Sequence, residues 1–242
     1  MSINEAVGDY LVRANDLYRD VKPKNSPMND RTIVMIEGRD CYWTQKVLRL
    51  ASMYLGPTWN VRLYETPNGV KTNNRLYTDW DIERVTVPMK NITREHYSCL
   101  LKTKEFWAGI PEEHILILHT DSLLIRALPD ETLHWDIMGA PCGDEFLVMN
   151  GGTSLRRRSA MLRVLEEHAE EFAKNPEEPE DVTFSRVMRA DPSFRVPSVE
   201  ENAKYFFESS WPPSPDVCGI HATTKTWVSS DQYRILLKNN RF

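Results

Sequence analysis

The stretch Thr32-Ile33-Val34-Met35-Ile36, stopped at once by Glu37-Gly38-Arg39, decides how this chain folds. A run dominated by β-branched residues, with no polar alternation, suits a strand buried on both faces, as in a parallel sheet. The Glu-Gly-Arg stop reads as a turn. Upstream, Ala6, Val7, Tyr10, Leu11 and Leu17 recur at helical spacing over residues 5–20, and a polar connector runs from Lys22 to Asn29. Downstream, Val47, Leu48, Leu50, Ala51 and Tyr54 predict a helix closed by Gly56-Pro57. Val61-Arg62-Leu63-Tyr64 and Val85-Thr86-Val87 suit further strands. Leu100, Leu101, Phe106 and Trp107 belong to another helix. Strand and helix alternating in this rhythm predict an α/β domain with a mainly parallel central sheet and helices on both faces.

Composition narrows what such a domain does. The 242 residues are 41% apolar and 27% charged, enough to bury a sizeable core in one domain with an appendage. The division expected is an N-terminal helix and connector over residues 1–30, then one domain over residues 31–242. A net charge of −5 argues against nucleic acid as a partner, since the only dense basic run is Arg156-Arg157-Arg158. The cysteines Cys41, Cys99, Cys142 and Cys218 form no CxxC pair, which points to free thiols in a reducing compartment. No basic and apolar leader opens the sequence, and no apolar run approaches the ~20 residues of a membrane span. The expected location is therefore cytoplasmic, and the sequon Asn91-Ile92-Thr93 is expected to carry no glycan.

Chemistry enters at the carboxyl ends of the strands, where open α/β sheets bind ligands. His114-Ile115-Leu116-Ile117-Leu118 reads as a buried strand that delivers His119-Thr120-Asp121-Ser122 to that edge. A carboxylate there can hold a divalent cation. It can equally form a turn, or let Asp121 or Ser122 cap a following helix. Phe146-Leu147-Val148-Met149 reads as another strand, ending in Asn150-Gly151-Gly152-Thr153-Ser154. Paired glycines at a strand end permit positive φ and close backbone approach to a ligand, or simply a tight turn into a helix capped by Ser154. That helix would carry Leu155, Met161, Leu162, Leu165, Ala169 and Phe172 on its apolar side. Glu180-Asp181 precedes a further helical pattern of Val182, Phe184, Val187 and Met188, where a carboxylate also suits the helix dipole. Of the tryptophans, Trp59, Trp107 and Trp135 read as core, whereas Trp211 and Trp227 lie near the late Pro-rich loop.

The order of these pieces resembles a domain-of-unknown-function family taken to be GT-A-type glycosyltransferases. The resemblance runs from about Thr32 to Trp227. It rests on Ile36-Glu37-Gly38-Arg39, Leu55-Gly56-Pro57-Thr58-Trp59, Phe106-Trp107, Thr120-Asp121-Ser122, Gly139-Ala140-Pro141, Asn150-Gly151-Gly152 with Ser154-Leu155-Arg156, Glu180-Asp181 and Gly219-x-His221. One departure stands out: His119 occupies the place of the first Asp in a full Asp-x-Asp motif.

The resemblance implies a GT-A (Rossmann-like) fold and transfer of a sugar from a nucleotide-sugar donor, UDP- or GDP-linked, to a hydroxyl of a glycan or small-molecule acceptor. It implies a cation, Mn²⁺ or Mg²⁺, held by Asp121 and His221, with imidazole suiting Mn²⁺ better. Glu37, Arg39, Thr120, Asp121, Ser122 and Lys225 would bind the donor, with Lys225 a point charge on the diphosphate. Gly151, Gly152 and Trp211 would face the sugar or acceptor. Asp181 would act as the base of an inverting transfer, with Glu180 beside it to hold the acceptor. Arg156 would reach no ligand and buttress the loop through a salt bridge. The alternative is a catalytically inactive GT-A-like module that binds glycans or nucleotides. A metal-dependent phosphoesterase or nucleotidyltransferase would want a second carboxylate pair beside Asp121, and Asp130, Glu131 and Asp136 are poorly spaced for it.

Overall fold

The computed structural model describes residues 3–39, 42–142, 148–208 and 214–221. The elements follow the expected alternation. Helix α1 (Ile3–Leu17) leads to β1 (Arg31–Glu37), α2 (Tyr42–Leu55), β2 (Trp59–Glu65), α3 (Pro67–Asn73) and β3 (Glu83–Thr86). Then come α4 (Arg94–Leu101), α5 (Lys104–Ala108), β4 (His114–Leu118), β5 (Leu123–Leu124), β6 (Ile137–Cys142) and β7 (Val148–Arg157). The chain continues through α6 (Arg158–Glu167), α7 (Ala169–Lys174), α8 (Glu180–Ala190), α9 (Val199–Tyr205), β8 (Phe206–Phe207) and β9 (Gly219–Ile220).

Among the described residues, six strands form a central sheet in the order β3-β2-β1-β4-β7-β6. The pairs β3·β2, β2·β1 and β1·β4 are parallel, and β7 runs antiparallel to both of its neighbours. The run that opened the sequence reading is the middle of this sheet. Within β1, Ile33 and Met35 face one apolar layer with Val47, Leu48, Ala51 and Leu55 of α2, while Val34 and Ile36 face the other with Leu101, Phe106, Trp107 and Phe184. Both faces of β1 are thus sealed, which is why its sequence shows no polar alternation. The mainly parallel sheet with helices on both faces stands as expected.

A second, three-stranded sheet has the order β5-β9-β8. It packs with α1 and α2 through Tyr10, Leu11, Leu50, Leu123, Phe207 and Ile220. Gly56, the only described glycine with positive φ (72°), follows Leu55 and ends α2 as expected.

Three expectations change. Asn150-Gly151-Gly152 is no strand end, because β7 continues to Arg157. Pairing with β4 (Leu118↔Thr153 to His114↔Arg157) and with β6 (Met149 on one side, Ser154 on the other) holds the strand on both sides of Gly151-Gly152, which lie opposite a register shift between Gly139 and Pro141. Ser154 and Leu155 therefore lie inside a strand rather than at the cap and apolar side of a helix, and α6 starts at Arg158. After Asp121-Ser122 comes β5, not a helix to cap. Trp59 and Trp107 are buried, and Trp135 packs against the core, as read.

Candidate functional site

At the carboxyl ends of β1 and β4 the chain leaves a cavity of about 760 Å³, within the range of ordinary small-molecule sites. Glu37, Arg39, Thr120, Asp121, Gly151, Gly152, Glu180, Asp181 and His221 all line it, with His119, Asn150 and α4 residues Arg94, Tyr97 and Ser98. Residues drawn from six places in the sequence thus meet in one hollow.

Its first part is a cluster of His119, Asp121 and His221, whose ligand atoms lie within 4.8 Å of one another. The turn after β4 is set by its backbone. The His119 N–H donates to the Gly152 carbonyl (2.8 Å) and to Ser122 Oγ (3.0 Å). His221 leaves β9 with its Nε2 3.6 Å from Asp121 Oδ1. The two imidazoles sit 5.7 Å apart, edge to face, and Tyr97 stacks edge-on against His119 at 4.8 Å. Burial, helped by the neighbouring His221, pushes His119 down to about 3, so its ring is neutral near pH 7. A neutral imidazole is the form that ligates a cation.

Gly152 explains how two rings fit over one strand. A Cβ there would lie 2.2 Å from His221 Nε2 and 2.5 Å from His119 Nδ1. The missing side chain is a cradle beneath both rings.

The second part gathers around the preceding residue, Gly151. Arg156 and Glu180 form a bidentate ion pair, Nη1 to Oε2 at 2.6 Å and Nη2 to Oε1 at 2.9 Å, with both side chains buried. The guanidinium sits near the Trp107 and Phe184 rings, 5.8 and 5.3 Å from their centroids. Burial works against the Arg156 charge, yet Glu180 more than restores it. Burial likewise raises the Glu180 carboxyl while Arg156 opposes that. Asp181 follows in the first turn of α8. Its Oδ2 accepts from the Gly151 N–H at 3.1 Å and its Oδ1 from the Val182 N–H at 3.0 Å. A Cβ on Gly151 would meet Glu180 Oε1 at 2.1 Å. Gly151 and Gly152 are therefore glycines because side chains of this chain fill the space above them.

Arg39 is mostly exposed and lies bidentate on Glu37 (Nε 2.8 Å, Nη2 2.7 Å), with Nη2 also 3.3 Å from Thr120 Oγ1. This ties the ends of β1 and β4 together. Ser122, expected to contact the donor, is buried away from the cavity wall. Its hydroxyl donates to the Gly152 carbonyl (2.7 Å) and accepts from Thr153 (2.6 Å), so it fastens the turn to β7. Lys225, Trp211 and Trp227 lie outside the described residues.

Sequence reasoning passed over two residues here. His119 was read as a missing Asp, although its spacing to Asp121 already put both at one strand end. Tyr97 carried only a helical apolar signal, yet its hydroxyl is buried, finds no hydrogen-bond partner among the described residues, and is held well above its ordinary value by burial and then by Glu180.

Comparison with known proteins bears on this architecture. Among solved structures, mouse xyloside xylosyltransferase 1 in its apo form matches with a TM-score of 0.52 at 11% identity, over 83% of this chain and 99% of that one. The glycosyltransferase GlyE of Streptococcus pneumoniae TIGR4 matches with a TM-score of 0.44 at 11% identity, over 66% of this chain. The chain spans 43% of the length of GlyE. The likeness to the xylosyltransferase concerns the fold alone, which is the GT-A-type arrangement anticipated above. A search of curated protein sequences finds no match. No helix among the described residues is long and apolar enough to cross a membrane, and Cys99, Cys142 and Cys218 form no disulfide. A family model covers residues 81–221, more than half of the chain and nearly all of the cavity-lining segments beyond β1, and by that match the chain belongs to DUF5672, a family of proteins of unknown function.

Proposed function

We propose that this chain is a glycosyltransferase that moves a sugar from a nucleotide-sugar donor, UDP- or GDP-linked, to a hydroxyl of a glycan or small-molecule acceptor. In this reading residues 31–242 are the transferase domain and residues 1–30 an N-terminal helix and connector. The observation that carries it is the meeting, in one cavity at the strand ends, of a two-imidazole, one-carboxylate cluster with the separately anchored carboxylate of Asp181.

The residues fit a divalent cation. Two imidazoles and one carboxylate form a donor set for a divalent transition-metal ion, Mn²⁺ in this reading, and the bare Gly152 leaves room for both rings. His119, Asp121 and His221 would hold it. A cation there would neutralise charge developing on the diphosphate leaving group.

The chain's own residues do the rest. Asp181 takes the proton of the acceptor hydroxyl as that oxygen bonds to the anomeric carbon, whose bond to the diphosphate oxygen breaks with its electron pair leaving on the diphosphate. The N–H groups of Gly151 and Val182 hold this carboxylate in one orientation. Glu180, with both oxygens on Arg156, acts as a positioning residue that fixes the first turn of α8 rather than as an acceptor contact. Arg39, braced by Glu37 and Thr120, faces the donor's ribose or phosphates. Lys225 and Trp211 are proposed for the diphosphate and the sugar.

The test is a screen of common nucleotide sugars with and without Mn²⁺, reading thermal shift and then donor hydrolysis or transfer. Saturation at 100 times Kd stabilises by about 2.7 kcal/mol. Donor binding and turnover, with turnover lost in Asp181→Asn, is the expected result. Binding without turnover would leave a non-catalytic binding module. Absence of any donor binding would overturn the reading.

A further inference from the structure

The proposed metal site leaves one neighbour unused: Glu208, a buried carboxylate beside His221. Its place follows from the register of the small sheet. Strands β8 and β9 pair in parallel as Phe206↔Gly219 and Phe207↔Ile220, so the next residue on each is Glu208 on one side and His221 on the other. The His221 N–H donates to the Phe207 carbonyl at 2.9 Å and holds that register at its end. The imidazole thus has two distinct edges. Nδ1 lies 3.4 Å from Glu208 Oε2, and Nε2 lies 3.6 Å from Asp121 Oδ1, above the Gly152 cradle. Both side chains are nearly withdrawn from solvent, His221 at 6% exposure and Glu208 at 4%.

We propose that Glu208 is the positioning residue of the metal site: it accepts the Nδ1–H of His221 and so presents the Nε2 lone pair to the cation. The inference rests on the metal-site reading above. Its physical basis is the asymmetry of neutral imidazole, in which a proton fixed on one nitrogen leaves the other as the donor atom. A carboxylate behind a ligating histidine fixes the ring plane as well as the tautomer and makes the facing nitrogen a stronger donor. In water a histidine would sample both tautomers and several rotamers. Here the backbone register, a carboxylate behind the ring and a glycine beneath it restrict it to one.

The test measures Mn²⁺ binding directly, by titrating the full chain and following free Mn²⁺ by electron paramagnetic resonance, with no sugar present. Glu208→Gln keeps the shape but removes the charge, and should weaken Mn²⁺ binding by roughly 10- to 100-fold. Circular dichroism of the metal-free variant checks that the fold is kept. Independently of any variant, ¹⁵N shifts of the metal-free wild type should give His221 as the Nδ1–H tautomer, with the signal assigned from its loss in His221→Gln. Unchanged Mn²⁺ affinity in a folded Glu208→Gln would overturn the proposal, and so would an Nε2–H tautomer in the wild type. Asp121→Ala and His221→Gln separate the two levels. If they abolish Mn²⁺ binding while Glu208→Gln does not, the metal site stands and the role of Glu208 falls. If the wild type binds no Mn²⁺, both fall.

Discussion

Gly151 and Gly152 are neighbours on one strand, and the clusters they serve could hardly differ more. Above Gly151, Arg156 and Glu180 close on each other at 2.6 and 2.9 Å, and Asp181 takes two backbone N–H groups. Above Gly152, His221 Nε2 lies 3.6 Å from Asp121 Oδ1 and its Nδ1 3.4 Å from Glu208 Oε2, with the His119 and His221 rings 5.7 Å apart. One residue step on β7, opposite a register shift in β6, separates the two settings. The first is a finished ion pair whose energy is already realised within the protein. The second keeps its donor atoms a ligand's width apart. Buried polarity alone therefore does not mark a binding site, and the spacing between the groups does.

Four experiments bear on that contrast. The largest effect should come from the residue that joins the tight cluster to the cavity: Asp181→Asn is expected to lower turnover by roughly 10²- to 10⁴-fold with the thermal midpoint little changed, measured by steady-state transfer. Next, Arg156→Met should destabilise the fold by about 3–5 kcal/mol in urea unfolding, because it strands Glu180 in the interior. Replacing both partners, with Glu180→Leu added, should recover much of that loss. A recovery of turnover in the double variant would sharpen the contrast further, since it would confine the pair to a structural task.

The glycines themselves give the most direct comparison. Gly151→Ala should cost about 1–3 kcal/mol of stability through overpacking against Glu180 while leaving Mn²⁺ affinity in place. Gly152→Ala should weaken Mn²⁺ binding by roughly tenfold or more by pushing the rings apart. An identical response from the two variants would break the distinction. The smallest effect concerns His168 and Asp191, which share residue types with the proposed metal cluster but meet at 2.9 Å in an ordinary hydrogen bond. The backbone and side chain of Ser193, with His168, hold the Asp191 carboxyl down to about 2. A depressed carboxyl stabilises the fold above its unfolded value of ~3.9 and loses that contribution as the pH falls toward 2. Wild type and Asp191→Asn should therefore differ in Tm near pH 6 and converge toward pH 2, by differential scanning calorimetry.

How much of this was legible depends on range. Strands β1 and β4 announced themselves because sealing on both faces forces an unbroken apolar run, which any reading along the chain detects. The reach of β7 through Asn150-Gly151-Gly152 was not legible. Glycines weaken a strand locally, and only the distant partners β4 and β6 restore it. Asp121 drew attention as a carboxylate at a strand end, whereas Asp181 owed its proposed role to the family resemblance, since a carboxylate at a helix start reads equally as a cap. Ser122 could not be told from a donor contact, since its partner Gly152 lies far along the chain. His119 was available two residues before Asp121, but the pattern sought was a carboxylate pair, so an imidazole looked like a loss. Glu208 had no local signal. Its role depends on two-residue strands whose pairing only three dimensions reveal.

The small sheet β5-β9-β8 has one more consequence. It ties Leu123, just past Asp121, to Ile220, just before His221, and Phe207, just before Glu208, to the same strand. Joining such distant segments closes a very long loop, and contacts of that kind are slow to form. Because domains are made and fold from the N-terminus, the nascent chain can acquire most of its parallel sheet while these donor atoms are still scattered. On the proposed reading, a ribosome-bound chain halted before His221 would hold most of its parallel sheet and an incomplete metal site.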